Sequence, residues 1–213
     1  MTLGEIAGRV LRDHLEVFGA FHTTQADGLD GRTVVLLGPH EPGFWPHFTA
    51  SPEALDGKSD PLDRWSQRVI TKAAQDLNAE ALFPFGTPRR PFMSWALRTG
   101  RAWSSPVHLL VHDVAGLWVS YRGALLLPDR LALPLPSANP CERCDERPCL
   151  SACPASALSA DGYDLDACHA FLDTRSGRQC METGCAVRKA CPQSQKYHRM
   201  DAQSAFHMDQ FHS

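Results

Sequence analysis

The sequence predicts an α+β protein whose last third is organised around cysteines. Helical and strand-type apolar patterns alternate over roughly the first 125 residues, as expected of a mixed fold. All eight cysteines lie between Cys141 and Cys191. With 43% hydrophobic residues, 21% charged residues and a net charge of −3, the 213-residue chain is typical of a soluble globular protein of one or two domains.

The first half predicts five elements. Apolar residues recur at helical spacing from Leu3 onward, and a β-branched apolar run closes at Gly38. Asp60 is a suitable N-cap for a helix with Pro61 in its first turn. The predicted order is helix 3–21, strand 33–37, helix 61–77, strand 79–85 and a further helix that ends at Gly100.

The next segments predict a hairpin and a linker. Strands at 107–111 and 117–121 would pair, and 123–127 could extend the second strand. The proline-rich stretch 128–140 would then lead into the cysteine region. We therefore predict two domains, 1–130 and 131–213, with residues 197–213 packing back as a C-terminal helix.

The cysteine spacing predicts two iron–sulfur clusters. Each [4Fe-4S] cluster needs four thiolates, and in two-cluster ferredoxins the cysteine before a proline ligates the other cluster. Two Cys-Pro pairs occur here, at Cys153 and Cys191, and the stretch after Cys153 predicts a short helix. We therefore expect one cluster on Cys141, Cys144, Cys149 and Cys191, and a second on Cys153, Cys168, Cys180 and Cys185.

Two alternatives use the same cysteines. Structural zinc also takes tetrahedral sets of four thiolates, but it gives no reason for the Cys-Pro pairs or for the isolated Cys168. A disulfide framework would suit a small secreted domain. The segment 1–7 carries Glu5 and no basic region before an apolar core, so no secretory signal is expected. Reduced cysteines favour the cytoplasm.

Two loops hold the other candidate binding residues. The loop 39–48 is rich in proline and aromatic residues, and its Phe44, Trp45 and Phe48 could line a flat ligand or could cap the core. Arg89 and Arg90 lie in a proline-bounded loop before a predicted helix, which suits a carboxylate or phosphate. The alternative is that the two arginines are simply solvated.

Membrane and nucleic-acid partners are not expected. No run is long and apolar enough to span a bilayer. From residue 141 onward, eight Lys and Arg face ten Asp and Glu, so the cysteine region is not a basic surface.

The cysteine half resembles a known cluster domain. The run from Cys141 to Leu158, with the later Asp-Ala-Cys-His around Cys168, is similar to the dicluster domain of epoxyqueuosine reductases and corrinoid-dependent reductive dehalogenases. This resemblance covers about residues 138–195. The helical-repeat extension of epoxyqueuosine reductases is not matched, so a tRNA substrate is not expected.

The first half resembles a different family, the cytosolic cobalamin-processing proteins of the cblC type. The similar residues are the Ser-Asp-Pro-Leu-Asp segment 59–63 and the Pro-Arg-Arg-Pro segment 88–91. The resemblance implies a nitroreductase-like sandwich that binds cobalamin with its lower base displaced. It also implies that Arg89 or Arg90 helps to hold a thiol cosubstrate, glutathione.

Two functions follow as expectations. In the first, two [4Fe-4S] clusters receive electrons from a redox partner protein or flavin reductant and pass them to cobalamin, which is reduced or loses its upper ligand. In the second, the chain is a dicluster ferredoxin-type electron carrier without a corrinoid. A flavin in place of the corrinoid is a further variant, since the same fold hosts flavin. No residue is assigned as catalytic, and no histidine is nominated as a cobalt ligand.

Overall fold

The computed structural model describes residues 1–212 and has a mixed α+β fold, as predicted. The chain divides into two compact units, and neither is continuous in sequence. The first unit comprises 1–101 and 120–136, and the second comprises 102–119 together with the chain from 137 onward. This division differs from the consecutive domains, 1–130 and 131–213, that the sequence predicts, because segment 102–119 clusters with the cysteine region.

An antiparallel sheet of four strands forms the centre of the first unit. The strands span Leu15–His22 (β1), Thr33–Pro39 (β2), Glu80–Leu82 (β3) and Gly123–Leu127 (β6). Their order in the sheet is β1-β2-β6-β3. Every residue of the two central strands, β2 and β6, is buried. The predicted strands 33–37 and 79–85 are confirmed, the latter over a shorter span.

Helices and one 3-10 turn complete the first unit. The first helix begins with a capping box between Thr2 and Glu5. The predicted helix 61–77 is confirmed, but Asp60 has a φ of 51° and its side chain makes no capping hydrogen bond. The helices span Leu3–Leu11 (α1), Phe44–Thr49 (α2), Pro52–Leu55 (α3), Pro61–Asp76 (α4) and Phe92–Arg98 (α5), and the 3-10 turn spans Gln25–Asp27.

The predicted helix 3–21 is wrong in its second half. Helix α1 ends at Leu11, and β1 begins at Leu15 after His14, whose φ is 52°. A register shift between Val17 and Gly19 changes the phase of the strand, so that Leu15, Phe18 and Phe21 are all buried. A bulged strand therefore gave a three-residue spacing that resembles a helical pattern.

The predicted hairpin 107–111/117–121 is also wrong. The strand β4 (Ala102–Ser104) pairs instead with β5 (Leu110–His112), and 117–121 is not a strand. Segment 123–127 is β6, which lies between β2 and β3 in the first sheet. Local alternation identified strand-like segments, but strand pairing is a long-range property that alternation does not encode.

The second unit holds short elements around the cysteines. No helix or strand occurs between residues 128 and 139, as expected of the linker. The predicted C-terminal helix is confirmed as α10, while Ser213 lies outside the described residues. The remaining elements are 3-10 turns Pro140–Arg143 and Pro148–Leu150, strands Leu158–Ser159 (β7) and Gly162–Tyr163 (β8), and helices Leu165–Leu172 (α6), Arg178–Thr183 (α7), Ala186–Ala190 (α8), Pro192–Gln195 (α9) and Asp201–Phe211 (α10).

The helices are all short. The longest, α4, has 16 residues. Within residues 1–212, each helix lacks the length or the apolar character needed to cross a membrane.

Candidate functional site

Four of the eight cysteines line one pocket of about 350 Å³ in the second unit. The pocket combines residues of the β4–β5 region, the two 3-10 turns and the start of α9. Cys141 and Cys191 thus share one cavity although they are 50 positions apart in sequence. The four cysteines of this pocket are the set that the sequence predicts for the first cluster. We call them the first quartet: Cys141, Cys144, Cys149 and Cys191.

The thiols of the first quartet are close enough to influence one another. Burial, and then the nearby charges of three other thiols, raise the pKa of the Cys141 thiol to about 11. Cys149 and Cys191 are buried, whereas Cys141 and Cys144 are half-buried. The three interacting thiols belong to Cys191, Cys149 and Cys144.

Local structure positions two of these cysteines, Cys141 and Cys191. Asn139 accepts a hydrogen bond from the Cys141 amide at 3.0 Å and so caps the turn that carries this cysteine. Cys191 precedes Pro192, the first residue of α9. The side chain of Gln193 donates to the carbonyl of Asp113 at 2.6 Å, and this contact ties α9 to the loop after β5.

The other four cysteines form a second group, the second quartet. Burial raises the pKa of the Cys168 thiol, a hydrogen bond from Tyr163 opposes this rise, and the charges of three further thiols add to it. All four cysteines are half-buried and free. The quartet comprises Cys168 on α6, Cys180 on α7, Cys185 at the start of α8, and Cys153.

A tyrosine and an arginine lie beside the second quartet. The hydroxyl of Tyr163 donates to the Cys168 sulfur at 3.4 Å, and burial raises the pKa of Tyr163, which keeps its proton in place. Arg188 donates to the carbonyl of Leu117. Burial lowers the pKa of Arg188, while the charge of Cys185 opposes that shift. The half-buried Arg188 therefore stands where it can offset negative charge on the quartet.

The two Cys-Pro pairs behave differently. Helix α9 begins directly after Cys191, whereas residues after Cys153 form a turn in which Ser156 has a φ of 52°. The short helix predicted after Cys153 is therefore wrong. A left-handed residue three positions after the cysteine is incompatible with a continuing right-handed helix, and the chain goes on into β7.

The quartets are not arranged around a single ion. In the part of the chain from 1 to 212, no three His, Cys, Asp or Glu side chains form a group that could hold one metal ion.

The pocket also contains a polar atom that suits a sulfur-rich group. Ser105 lines this pocket, and its buried hydroxyl has no hydrogen-bond partner among residues 1–212. Sequence analysis missed Ser105, since a single serine after a short strand carries no motif. Buried hydroxyls are normally partnered, and a sulfur-rich group bound in this pocket would offer acceptors for such a hydrogen bond.

Comparisons with known proteins add no relative. No protein-family model, curated protein or solved structure matches this chain.

The aromatic candidates of the first unit pack in or beside its core. The predicted loop 39–48 contains helix α2, and its Phe44 and Phe48 are fully buried against Trp65. They cap the core, which was one of the two interpretations of this segment. Trp45 is half-buried and packs beside Phe48. Phe44 and Phe48 could contact the face of a flat ligand only if the core opened.

The arginine candidates lie at the surface. Arg89 is exposed and Arg90 is half-buried, in a segment without helix or strand just before α5. The other segment that carries the cblC resemblance has a structural role, because Asp63 on α4 accepts a hydrogen bond from the buried Arg122. Arg122 also donates to Ser66 at 3.1 Å. Loss of Asp63 would leave a buried cation without its partner.

Proposed function

We propose that the chain is an iron–sulfur protein whose second unit holds two [4Fe-4S] clusters and transfers single electrons. The observation that carries the proposal is that the eight free cysteines group into two quartets, with four of them around one pocket. Four thiolates per cluster and two clusters use every cysteine in the chain.

Each quartet would hold one cluster, which when bound takes up and releases one electron at a time. The chain contributes placement and charge. In the first pocket, Val111 and Leu117 belong to an apolar cluster that includes Cys149 and Cys191. Exclusion of water from one side of the pocket lowers the local dielectric and strengthens polar contacts to the bound group.

Positive charge accompanies both quartets. Three basic side chains line the first pocket together with one carboxylate, Asp113. Burial raises the pKa of Cys141, and the charge of Arg147 opposes part of that rise. Arg188 faces the second quartet. These cations would offset the negative charge that four thiolates bring to each site. The basic residues of the first pocket are Arg143, Arg147 and Lys196.

Anaerobic purification tests the proposal. We expect a brown protein with about eight irons and about eight labile sulfides per chain. After reduction with dithionite, electron paramagnetic resonance at low temperature should show the signals of reduced cubanes. A colourless protein that carries zinc and no sulfide would exclude the clusters.

We further propose cobalamin as the electron acceptor, with a thiol such as glutathione as cosubstrate. The exposed Arg89 and half-buried Arg90 support this extension, since guanidinium groups at a surface loop suit the carboxylates of a thiol tripeptide. So does the resemblance of segments 59–63 and 88–91 to cobalamin-processing proteins, whose nitroreductase-like fold we propose for the first unit. Without the corrinoid, the chain would be a dicluster electron carrier that serves a partner protein.

A cobalamin titration of the wild type and of a variant without the two loop arginines distinguishes the cobalamin-reducing enzyme from the electron carrier. In an anaerobic titration with cobalamin, the wild type should show a saturable change in visible absorbance as the lower base is displaced. Arg89→Ala/Arg90→Ala should raise the glutathione concentration needed for half-maximal cobalamin reduction by about tenfold, because loss of the one charge-assisted hydrogen bond that the resemblance implies costs about 1.5 kcal/mol.

A matched control removes one exposed arginine elsewhere in the first unit. Arg12→Ala should leave both the titration and the iron content unchanged, since Arg12 is exposed at the end of α1. The absence of any spectral change in the wild type would reject cobalamin and leave the electron carrier. Loss of iron in the double arginine variant would show that the loop is structural.

A further inference from the structure

Ser105 is a buried residue of the first pocket whose hydroxyl has no hydrogen-bond partner in the part of the chain that the structure describes. It directly follows β4, and its residue is 6% exposed. Its hydroxyl oxygen has no hydrogen-bond partner among residues 1–212. A buried hydroxyl that loses its water without gaining a partner is unfavourable, so such a group calls for an explanation.

The backbone of Ser105 is already satisfied. Its amide donates to the carbonyl of Leu109 at 2.8 Å, and its carbonyl accepts from the amide of His108 at 3.0 Å. These two bonds close the turn between β4 and β5 and hold the serine in place. The hydroxyl is therefore the group of Ser105 that can still form a hydrogen bond with a molecule bound in the pocket.

The surroundings of Ser105 would strengthen any bond that it makes. Val111 and Leu117 line the same pocket and are buried in the apolar cluster that contains Cys149 and Cys191. Hydrogen bonds are stronger in such low-dielectric surroundings than in water. Ser105 thus shares the pocket with buried apolar residues that pack with two cysteines of the first quartet.

We propose that the Ser105 hydroxyl donates a hydrogen bond to a sulfur of the cluster held by the first quartet and raises the reduction potential of that cluster. The proposal rests on the proposed function, since it needs a cluster in this pocket. One-electron reduction adds negative charge to the cluster, and a donor at sulfur stabilises the reduced form more than the oxidised form. No atom is transferred, and the electron comes from the reductant in the titration.

The second quartet supplies a reference for the same effect. Tyr163 already donates to Cys168 at 3.4 Å, so Tyr163→Phe should lower the potential of the second cluster alone. Ser105→Ala should lower the potential of the first cluster alone. The two variants together therefore assign the two redox transitions to the two quartets.

The experiment is an anaerobic redox titration of the full chain, followed by electron paramagnetic resonance. We expect Ser105→Ala to lower the equilibrium constant for one-electron reduction of the first cluster by roughly tenfold. This corresponds to a fall of about 59 mV in the reduction potential of that cluster. Ser105→Thr keeps the hydroxyl and should stay near the wild-type potential. The neighbouring Ser104 is exposed, so Ser104→Ala is the matched control and should shift neither transition.

A second measurement does not depend on the stability of any variant. Electron–nuclear double resonance of the reduced wild type should detect an exchangeable proton close to the first cluster, and this signal should disappear in heavy water. Its absence would overturn the proposal, as would an unshifted Ser105→Ala or a Ser105→Thr that behaves like alanine. Failure of the proposed function is distinct, because the wild type would then contain no cluster to titrate.

Discussion

The double substitution Cys141→Ala/Cys191→Ala is expected to remove one cluster and leave the other, with about four irons per chain in place of about eight. Both cysteines line the same pocket, although 50 positions separate them. The four cysteines of the second quartet remain intact in this variant, and Cys168 keeps its hydrogen bond from Tyr163. Iron and sulfide analysis with spin quantitation measures the result.

The matched variant takes one cysteine from each quartet. Cys141→Ala/Cys153→Ala should perturb both clusters and lower the iron content of both sites, because each site would then offer only three thiolates. If the cysteines were instead grouped in sequence order, with the first four on one cluster and the last four on the other, the two outcomes would be exchanged. Circular dichroism of both variants shows whether the fold is kept, so that loss of iron can be assigned to loss of ligands.

The second large effect is expected at Gly116. This residue has a φ of 56°, and a Cβ added there would lie 2.3 Å from the amide nitrogen of Ser194. Ser194 is part of α9 and accepts a hydrogen bond from the Leu117 amide at 2.8 Å. The clash is with backbone, so Gly116→Ala must displace α9, which begins next to Cys191.

Gly116→Ala should therefore lower the free energy of unfolding by about 3 kcal/mol, from left-handed strain and overpacking together. It should also lower the iron bound at the first quartet. Chemical denaturation of the anaerobic protein measures the first effect, and iron analysis measures the second. Full iron content with a normal unfolding midpoint would contradict the packing of α9 against this loop.

Gly28 provides the control for strain without a clash. Its φ is 61°, close to that of Gly116, and nothing lies within 4 Å of an added Cβ. Gly28→Ala should cost about 1 kcal/mol, the expected strain of a left-handed residue, and should leave iron content unchanged. The difference between the two variants isolates the contact between Gly116 and Ser194.

The sequence predicted elements where a single local signal was strong. Pro61 at the first turn and a consistent apolar face located α4, and the linker 128–140 followed from its prolines. It failed where a local pattern had two physical origins. The bulge in β1 produced a spacing that resembles a helix. The composition around Phe44 and Phe48 left two interpretations open, and their packing on Trp65 agrees with the one in which they cap the core.

By itself, the sequence determined where the cysteines lie. All eight fall within 51 residues and include two Cys-Pro pairs, a pattern that predicts two sets of four. The residues that surround the cysteines are known only from the tertiary structure. Segment 102–119 lies with the cysteine region, and it brings Ser105 and Gly116 to the first pocket and to α9. These contacts join residues about 40 to 90 positions apart, and such long-range packing depends on the whole fold rather than on local pattern.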